Sequence, residues 1–395
     1  MILLLALQAV VQPPATLVLP APDRTLQVDF TQIRGVRELA DGRVIISDRL
    51  DRGVVVADFT RHTTTPIGRT GSGPAEYRLP TVLSPMPGDS TMLSDEGNQR
   101  MAVIGPDLRI HRTFNLMLPG IGVPLGARGV DHQGRFILQI PGWVLEHTGD
   151  TVVVVRFDPR TQRVDTLARV KGSTPRRNTQ IPGLPYVIFA AQDIWNLTSD
   201  GRVAVVRSSD YHVDWRDAEG RVTSGPRIAF ERRPVTMDDR IAHVRRFMQN
   251  SSISGRNGDG GLSPLPAEML EEKSIRNAAE TQEHAEVHPP FTEVAPLVGP
   301  DDKLWVERSM RLGTPQTFDI IGPDGSLAAR LQMPRGRRLV SLGRQWLYAV
   351  VTDDDGLQRL ERYRHPAISG HGRSGDSLCE DYFQSLPAPI GLLAT

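Results

Sequence analysis

The sequence predicts an all-β fold, a six-bladed β-propeller closed by an N-terminal strand, with a helical insertion between blades 4 and 5. Three observations lead to this prediction. Short runs rich in Val, Ile, Leu and Phe alternate with Asp-Gly, Gly-Asp and Pro-Asp turns. The chain holds 36 glycines and 31 prolines among 395 residues, a larger share than the average of about 12%. Turn glycines recur at Gly42, Gly88 and Gly134, with a constant spacing of 46 residues.

The charge balance and cysteine count exclude several classes of protein. Lys plus Arg is 46 and Asp plus Glu is 46, so the formal net charge is zero. A general nucleic-acid binder needs a basic excess to neutralise phosphates, and a polybasic membrane-surface protein needs one too. The single cysteine, Cys379, allows neither an intrachain disulfide nor a multi-cysteine metal cluster.

The first residues indicate export. The run from Ile2 to Val11 is apolar with one Gln interruption and is followed by small residues and prolines, although no basic residue precedes it. A helix that spans a bilayer takes about 20 residues, so this run suits the core of a signal peptide. We therefore predict a signal peptide over residues 1–15, a periplasmic or extracellular location and no membrane span. The alternative is a disordered or strand-like start.

Each repeat contains four short strands, which is typical of a propeller blade. In the first repeat they are predicted at Gly35–Leu39, Arg43–Ser47, Gly53–Asp58 and His62–Gly68. Six blades are predicted to begin near residues 34, 81, 126, 192, 292 and 338. The last blade shows only three strands, and we expect the strand Thr25–Phe30 to supply the fourth. Closure of the ring would remove an open sheet edge.

Two segments depart from the strand pattern. The predicted ring covers residues 24–364 and contains an excursion over 234–286. There Ile241, Val244 and Met248 share one face of a predicted helix, Met237–Met248, which Thr236 and Asp239 begin as a capping box. A second helix is predicted at Pro266–Ala279, after a mobile Gly-rich loop over 254–261. Residues 365–395 lack strand alternation, and we expect a disordered tail.

One motif resembles a known repeat. The stretch Gly71-Ser-Gly-Pro-Ala-Glu-Tyr-Arg-Leu-Pro80 resembles the loop of the NHL-type repeat, although Ala75 replaces the usual Gly. Asp95, Asn98 and Arg100 match the strand end that follows in that repeat. The whole chain is similar to bacterial six-bladed β-propeller proteins with NHL-like repeats. The resemblance implies an exported propeller and is silent on activity.

We interpret this motif as structural, because glycines allow the backbone angles that a crossover between blades needs. The residues to which we assign this role are Gly71, Gly73, Pro74, Glu76, Asn98 and Arg100. Asp95 is expected to tie the turn between the second and third strands of blade 2. The alternative is that these residues hold a ligand or a metal.

A ligand site is expected on one face, where the turns between second and third strands meet the blade-to-blade crossovers. Strand ends would bring carboxylates and guanidiniums together there, and the candidate residues are Asp48, Arg49, Asp95, Arg207, Glu307 and Arg308. Such a mixed ring favours a polar or anionic ligand. The alternative is a solvated rim whose charges pair with each other.

The sequence therefore favours a monomeric binding propeller, without a cofactor, for a protein, peptide or glycan on this face. The alternative is a metal-dependent hydrolase or lyase that acts in the central channel. Propeller lactonases hold calcium in the channel with Glu, Asn and Asp, for which the candidates here are Asp95, Asn98, Asn196 and Glu307, although no motif of that family is recognisable. Propeller lyases use a catalytic histidine with magnesium, for which His132 and His212 are the candidates, although nothing in the sequence marks either as a base.

Overall fold

Six sheets follow one another along the chain in the computed structural model, which describes residues 16–145, 150–172, 187–250, 252–254, 262–264, 267–311 and 313–368. The chain is a six-bladed β-propeller, as the sequence predicts. The predicted signal peptide, most of the loop over 254–261 and nearly all of the predicted tail lie outside the described residues. Among the described residues, no helix is long and apolar enough to cross a membrane.

The blades are antiparallel sheets whose strands pair in chain order from the channel outward. Blade 1 comprises Ile33–Glu38, Val44–Asp48, Gly53–Asp58 and Thr63–Pro66. Blade 2 comprises Pro80–Pro85, Thr91–Asp95, Arg100–Ile104 and Ile110–Phe114. Blade 3 comprises Ala127–Val130, Phe136–Ile140, Thr151–Asp158 and Arg163–Lys171.

The second half of the ring repeats this arrangement. Blade 4 comprises Ile194–Leu197, Val203–Arg207, His212–Arg216 and Val222–Ser224. Blade 5 comprises Leu297–Val298, Leu304–Glu307, Thr317–Ile321 and Leu327–Gln332. Blade 6 comprises Arg337–Leu342, Trp346–Thr352, Gln358–Arg364 and the N-terminal strand Arg24–Thr25.

The N-terminal strand closes the ring, as predicted. Its pairing with Gln358–Arg364 is antiparallel, and backbone hydrogen bonds continue it through Leu26 to Phe30. Leu26 is fully buried in a cluster shared by blades 6 and 1. One strand was not expected: Thr16–Val18 pairs in parallel with Leu327–Gln332 and gives blade 5 a fifth, outermost strand.

The core consists of apolar layers between neighbouring blades. Clusters join blades 1 and 2, 2 and 3, 3 and 4, 4 and 5, 5 and 6, and 6 and 1. The alternating apolar residues of each strand fill these layers from both sides, because successive side chains point to opposite faces of a sheet. The inner strands are thereby held around a central channel.

The insertion forms a small helical unit with its own core. Helix α1 spans Met237–Asn250 and helix α2 spans Glu272–Thr281. Ile241, Val244 and Met248 pack against α2, as their spacing predicts. The capping box is present, since the Thr236 amide donates to Asp239 and the Asp239 amide donates to the Thr236 hydroxyl. Helix α2 begins later than predicted, because Ala267–Met269 forms a separate 3-10 turn.

Several short elements complete the fold. Val187–Ile188 pairs in parallel with Glu283–His284 beside the helices, and Ser252–Ser254 pairs with Leu262–Pro264. Arg69–Thr70 pairs in parallel with Glu76–Tyr77 within the crossover from blade 1 to blade 2. Two further 3-10 turns occur at Glu96–Asn98 and Gly142–Leu145. These elements lie in the connections between strands.

Candidate functional site

Three exposed arginines lie on the inner strands that surround the central channel. They are Arg34 of blade 1, Arg128 of blade 3 and Arg338 of blade 6, which we call the channel arginines. Each is exposed to water, yet burial by the surrounding protein lowers the pKa of each guanidinium. The surrounding protein displaces part of the hydration that stabilises each charge, which is why the pKa falls.

Backbone bulges place two of the three channel arginines. The pairing of the first and second strands shifts around Arg34 in blade 1 and around Arg128 in blade 3. A bulge re-aims a side chain, and it is frequent next to functional sites. Gly35 follows Arg34 where a Cβ atom would lie 2.6 Å from the Thr81 carbonyl oxygen. Only glycine fits this position, so the bulge and its arginine are built into the local packing.

Further charges surround the channel mouth on the face of the second–third strand turns, which we call the loop face. The Arg49 Nε atom is 3.9 Å from the Glu96 carboxylate, and its charge contributes, after burial, to the lowered pKa of Arg34. The Arg338 guanidinium donates a 3.4 Å hydrogen bond to the Ile33 carbonyl oxygen, so it reaches from blade 6 to blade 1.

Glu307 ends the second strand of blade 5 at this mouth. Burial raises the pKa of its carboxyl group, although Gln316 and the charges of Arg246 and Arg338 favour the ionised form. Arg246 belongs to helix α1, so the insertion brings a cation within electrostatic reach of the channel. Its perturbed pKa and the nearby guanidiniums make Glu307 a candidate site residue.

A side cavity of about 230 Å³ opens between blades 3 and 4. Arg128 forms one wall, where it donates a 2.8 Å hydrogen bond to the Trp195 carbonyl oxygen and stacks 4.6 Å from the centre of the Trp195 ring. The Trp195 indole N–H donates to Gln139 at 2.8 Å. Asp193 and Glu293 also line the cavity, so it offers both charges and hydrogen-bonding groups.

The structure places Asp48 and Asp95 below the surface. Asp48 accepts hydrogen bonds from the backbone amides of Thr31 and Gln32 at 2.6 and 3.1 Å, and from those of the turn that follows it. Asp95 accepts from two amides of the incoming crossover and from the Asn98 side chain at 2.7 Å. Both carboxylates therefore anchor backbone in this structure.

Arg207 and Arg308 are engaged in ion pairs within the wall. Arg207 donates to Asp193 at 2.9 Å and to Asp214 at 2.7 Å, which ties the start of blade 4 to its third strand. Arg308 lies 3.7 Å from the buried Asp319 carboxylate. Of the six predicted ligand residues, Arg49 interacts electrostatically with Arg34 and Glu307 with Arg338, and Arg207 binds Asp193, which lines the cavity beside Arg128.

The Gly-rich motif forms a cross-linked crossover. Glu76 accepts from the Gly73 amide and from Arg69, both at 2.7 Å, and it occupies the space that a Cβ atom on Gly71 would need. Asn98 donates to the Gly71 carbonyl oxygen, and Arg100 donates to those of Gly73 and Glu76. Pro74 lies within this loop, which the second–third strand turn of blade 2 holds in place.

Three polar side chains lie in a row between the insertion and blade 5. The Asp239 carboxylate is 3.2 Å from His288 Nε2, and His288 Nδ1 is 3.5 Å from the Ser309 hydroxyl oxygen. His288 is almost fully buried, and burial lowers the pKa of its imidazole. At 3.5 Å the hydroxyl contact is at the limit of a hydrogen bond. The three side chains therefore link the start of α1 to the second–third strand turn of blade 5.

The residues of the metal-dependent alternative are dispersed. Among the described residues, no group of three or more His, Cys, Asp or Glu side chains could hold a metal ion. Asn196 donates to the Pro296 carbonyl oxygen, and His212 lies between Asp210 and Asp214 at 2.7 and 3.2 Å. His132 is in the first–second strand turn of blade 3, on the face opposite the loop face.

Sequence reasoning missed the channel arginines and Arg246. The tripeptide Arg-Gly-Val follows the first residue of the first strand in blades 1 and 3, at Arg34–Val36 and Arg128–Val130. An alignment of the repeats could have found this signal. The same tripeptide at Arg52–Val54 begins a third strand instead, so its occurrence alone does not identify a channel position.

No family model matches the chain, and no curated protein matches its sequence. Solved structures do align with it. A virginiamycin B lyase from Staphylococcus aureus is 11% identical over 88% of both chains, with a TM-score of 0.39. A gluconolactonase from Xanthomonas campestris is 12% identical over 89% of this chain and 99% of its own, with a TM-score of 0.42. A PQQ-bound aldose sugar dehydrogenase from Streptomyces coelicolor is 11% identical over 87% and 98%, with a TM-score of 0.43. These similarities carry no conclusion about ligand or activity.

Proposed function

We propose that this chain is an exported, monomeric binding propeller, which recognises an acidic protein, peptide or glycan ligand on its loop face. The observation that carries the proposal is that the inner strands of three separate blades each carry an exposed arginine, Arg34, Arg128 and Arg338. Carboxylate groups are the chemistry that acidic peptides and acidic glycans share. Guanidinium groups bind carboxylates through paired, charge-assisted hydrogen bonds.

The charge balance around the mouth supports an anionic ligand. The cations there are Arg34, Arg49, Arg128, Arg246 and Arg338, and the carboxylates are Glu96, Asp193, Glu293 and Glu307. The formal excess is one positive charge, although the whole chain is neutral. When the charges that line a cleft are mostly of one sign, its low-dielectric walls concentrate their electric field. That field attracts ligands of the opposite charge.

The test uses a fluorescein-labelled hexaglutamate peptide and an oligogalacturonate as acidic probes, with hexaserine and cellohexaose as neutral controls. Binding is measured by anisotropy for the peptides and by calorimetry for the glycans. We expect at least one acidic probe to bind, more weakly at higher salt. The double variant Arg34→Ala/Arg338→Ala should bind the acidic probe roughly 10- to 100-fold more weakly, because a hydrogen bond to a charged group contributes about 1.5–3 kcal/mol.

The matched control is Arg160→Ala, which removes an exposed guanidinium from the third–fourth strand turn of blade 3. This variant should keep the wild-type affinity. Equal binding of acidic and neutral probes, or an unchanged affinity in the double variant, would contradict the proposal.

The remaining parts of the proposal have their own tests. Binding needs no cofactor, so treatment with EDTA should leave the affinity unchanged. Loss of binding would instead favour the calcium-dependent alternative, as would turnover in a panel of lactones and esters.

A signal peptide over residues 1–15 predicts a mature N-terminus downstream of this segment, which N-terminal sequencing of secreted protein would reveal. Light scattering should give the mass of one chain.

A further inference from the structure

A second cavity, of about 410 Å³, lies between blades 5 and 6 on the face opposite the loop face. Blade 5 contributes Lys303 and Trp305, and the first–second strand turn of blade 6 contributes Arg344 and Gln345. Arg364, at the end of the third strand of blade 6, completes the wall. The volume lies within the range of sites that hold small molecules.

The charges of this cavity are predominantly positive. Lys303, Arg344 and Arg364 face one lining carboxylate, Asp301, which gives a formal charge of +2. Asp301 pairs with the Lys303 ammonium group. Glu38 lies behind the turn, where it accepts from the Tyr348 hydroxyl and the Gln345 amide, and it does not line the cavity.

The walls of the cavity are held by packing and hydrogen bonds. Trp305 is 2% exposed and packs against Phe318. The His365 imidazole donates from Nε2 to the Gly343 carbonyl oxygen at 2.8 Å, and the Arg364 guanidinium lies 5.2 Å from the centre of the Trp346 ring. A Cβ atom on Gly299 would come within 2.8 Å of Asp301 Oδ1, so a larger residue there would require the Asp301 carboxylate to move.

We propose that this cavity binds a small organic dianion of the sugar-phosphate class. A phosphate dianion matches the formal charge of +2, and arginine forks bind phosphate oxygens in pairs. The Gln345 side chain offers both a donor and an acceptor to sugar hydroxyls. Pro366 and Ile368 supply an apolar edge against which a sugar ring can pack.

Calorimetry on the full chain with glucose 6-phosphate, inorganic phosphate and glucose tests this proposal. Glucose 6-phosphate should bind, inorganic phosphate should bind at least several-fold more weakly, and glucose should not bind. The variants Arg344→Glu and Lys303→Gln should each bind glucose 6-phosphate at least tenfold more weakly than the wild-type protein. Two substitutions are used so that a folding defect in one variant leaves the other as a test.

Two controls separate this cavity from the channel mouth. Arg335→Glu reverses an exposed charge in the crossover between the same blades on the loop face, and it should keep the wild-type affinity. The Arg34→Ala/Arg338→Ala variant should also bind glucose 6-phosphate normally. Failure of glucose 6-phosphate to bind, equal affinities for it and inorganic phosphate, or unchanged binding in both cavity variants would overturn the proposal.

Discussion

Asp48 and Asp95 occupy equivalent positions at the ends of the second strands of blades 1 and 2, and both are buried. Their carboxylates accept hydrogen bonds from backbone amides of the turn and of the incoming chain. A buried carboxylate is stable only when its acceptors are satisfied, so these two residues fix the loops around the mouth. Arg34, the second residue of the inner strand of blade 1, is exposed and does not anchor these loops.

Asp95→Ala should destabilise the protein strongly. The substitution leaves amides of the crossover and the Asn98 side chain without their acceptor, and it leaves Arg100, 3.4 Å away, without its counter-charge. We expect a loss of about 3–5 kcal/mol in the free energy of unfolding, measured with urea. Asp107→Ala, at an exposed turn of the same blade, should cost about 1 kcal/mol or less. Equal losses in the two variants would refute a structural role for Asp95.

The raised pKa of Glu307 predicts the pH dependence of ligand binding. A bound anion next to this carboxyl group raises its pKa further, so binding takes up protons and the affinity rises as the pH falls. We expect wild-type protein to bind hexaglutamate more tightly as the pH is lowered through the range in which Glu307 takes up its proton, as measured by anisotropy. Glu307→Gln should show a smaller difference. A wild-type affinity independent of pH would show that Glu307 does not face the ligand.

His243 predicts how the stability of the insertion depends on pH. Burial, with a contribution from Arg246, lowers the pKa of this imidazole to about 4, below its ordinary value of 6.5. The unfolded chain therefore binds the proton more tightly, and stability falls as the pH drops from about 6.5 to about 4. We expect a loss on the order of 1–3 kcal/mol over this interval. His243→Gln should lose less stability over this interval than the wild-type protein. His62→Gln, at an exposed position, should lose as much stability as the wild-type protein.

At the scale of elements, strand alternation and turn residues carry most of the information. The predicted Gly53–Asp58 strand is observed with the same bounds, and helix α1 begins at the predicted Met237. The pairing of Thr16–Val18 could not be predicted, because three residues carry no periodicity and the partner strand is distant in the chain. The bulges at Arg34 and Arg128 escaped prediction for a related reason: each depends on the register with the second strand.

The N-terminal strand offers a direct test of ring closure. Leu26 is fully buried between blades 6 and 1, so Leu26→Ala should lower the free energy of unfolding by about 2–5 kcal/mol. Val18, 65% exposed on the outermost strand of blade 5, provides the control Val18→Ala, for which we expect less than about 1 kcal/mol. Urea unfolding monitored by tryptophan fluorescence measures both. A cost for Leu26→Ala no larger than the control would contradict closure by this strand.

At the scale of the whole molecule, the ring gives two faces with different chemistry. The loop face carries the channel arginines, Glu307 and the insertion, and the opposite face carries the cavity between blades 5 and 6. The sequence predicted the loop face as the site and a mixed set of charges there. It could not identify the residues that meet, because convergence on the channel depends on six blades closing around one axis. Arg246 illustrates this, since it acts electrostatically on Glu307 from a helix outside the repeat.

A crystal structure of the protein with bound hexaglutamate tests the central claim most directly. The account predicts a ligand carboxylate within about 3 Å of the guanidinium nitrogens of Arg34 or Arg338, at the channel mouth on the loop face. A peptide that binds in solution but lies elsewhere on the molecule, with neither guanidinium in contact with it, would contradict the account.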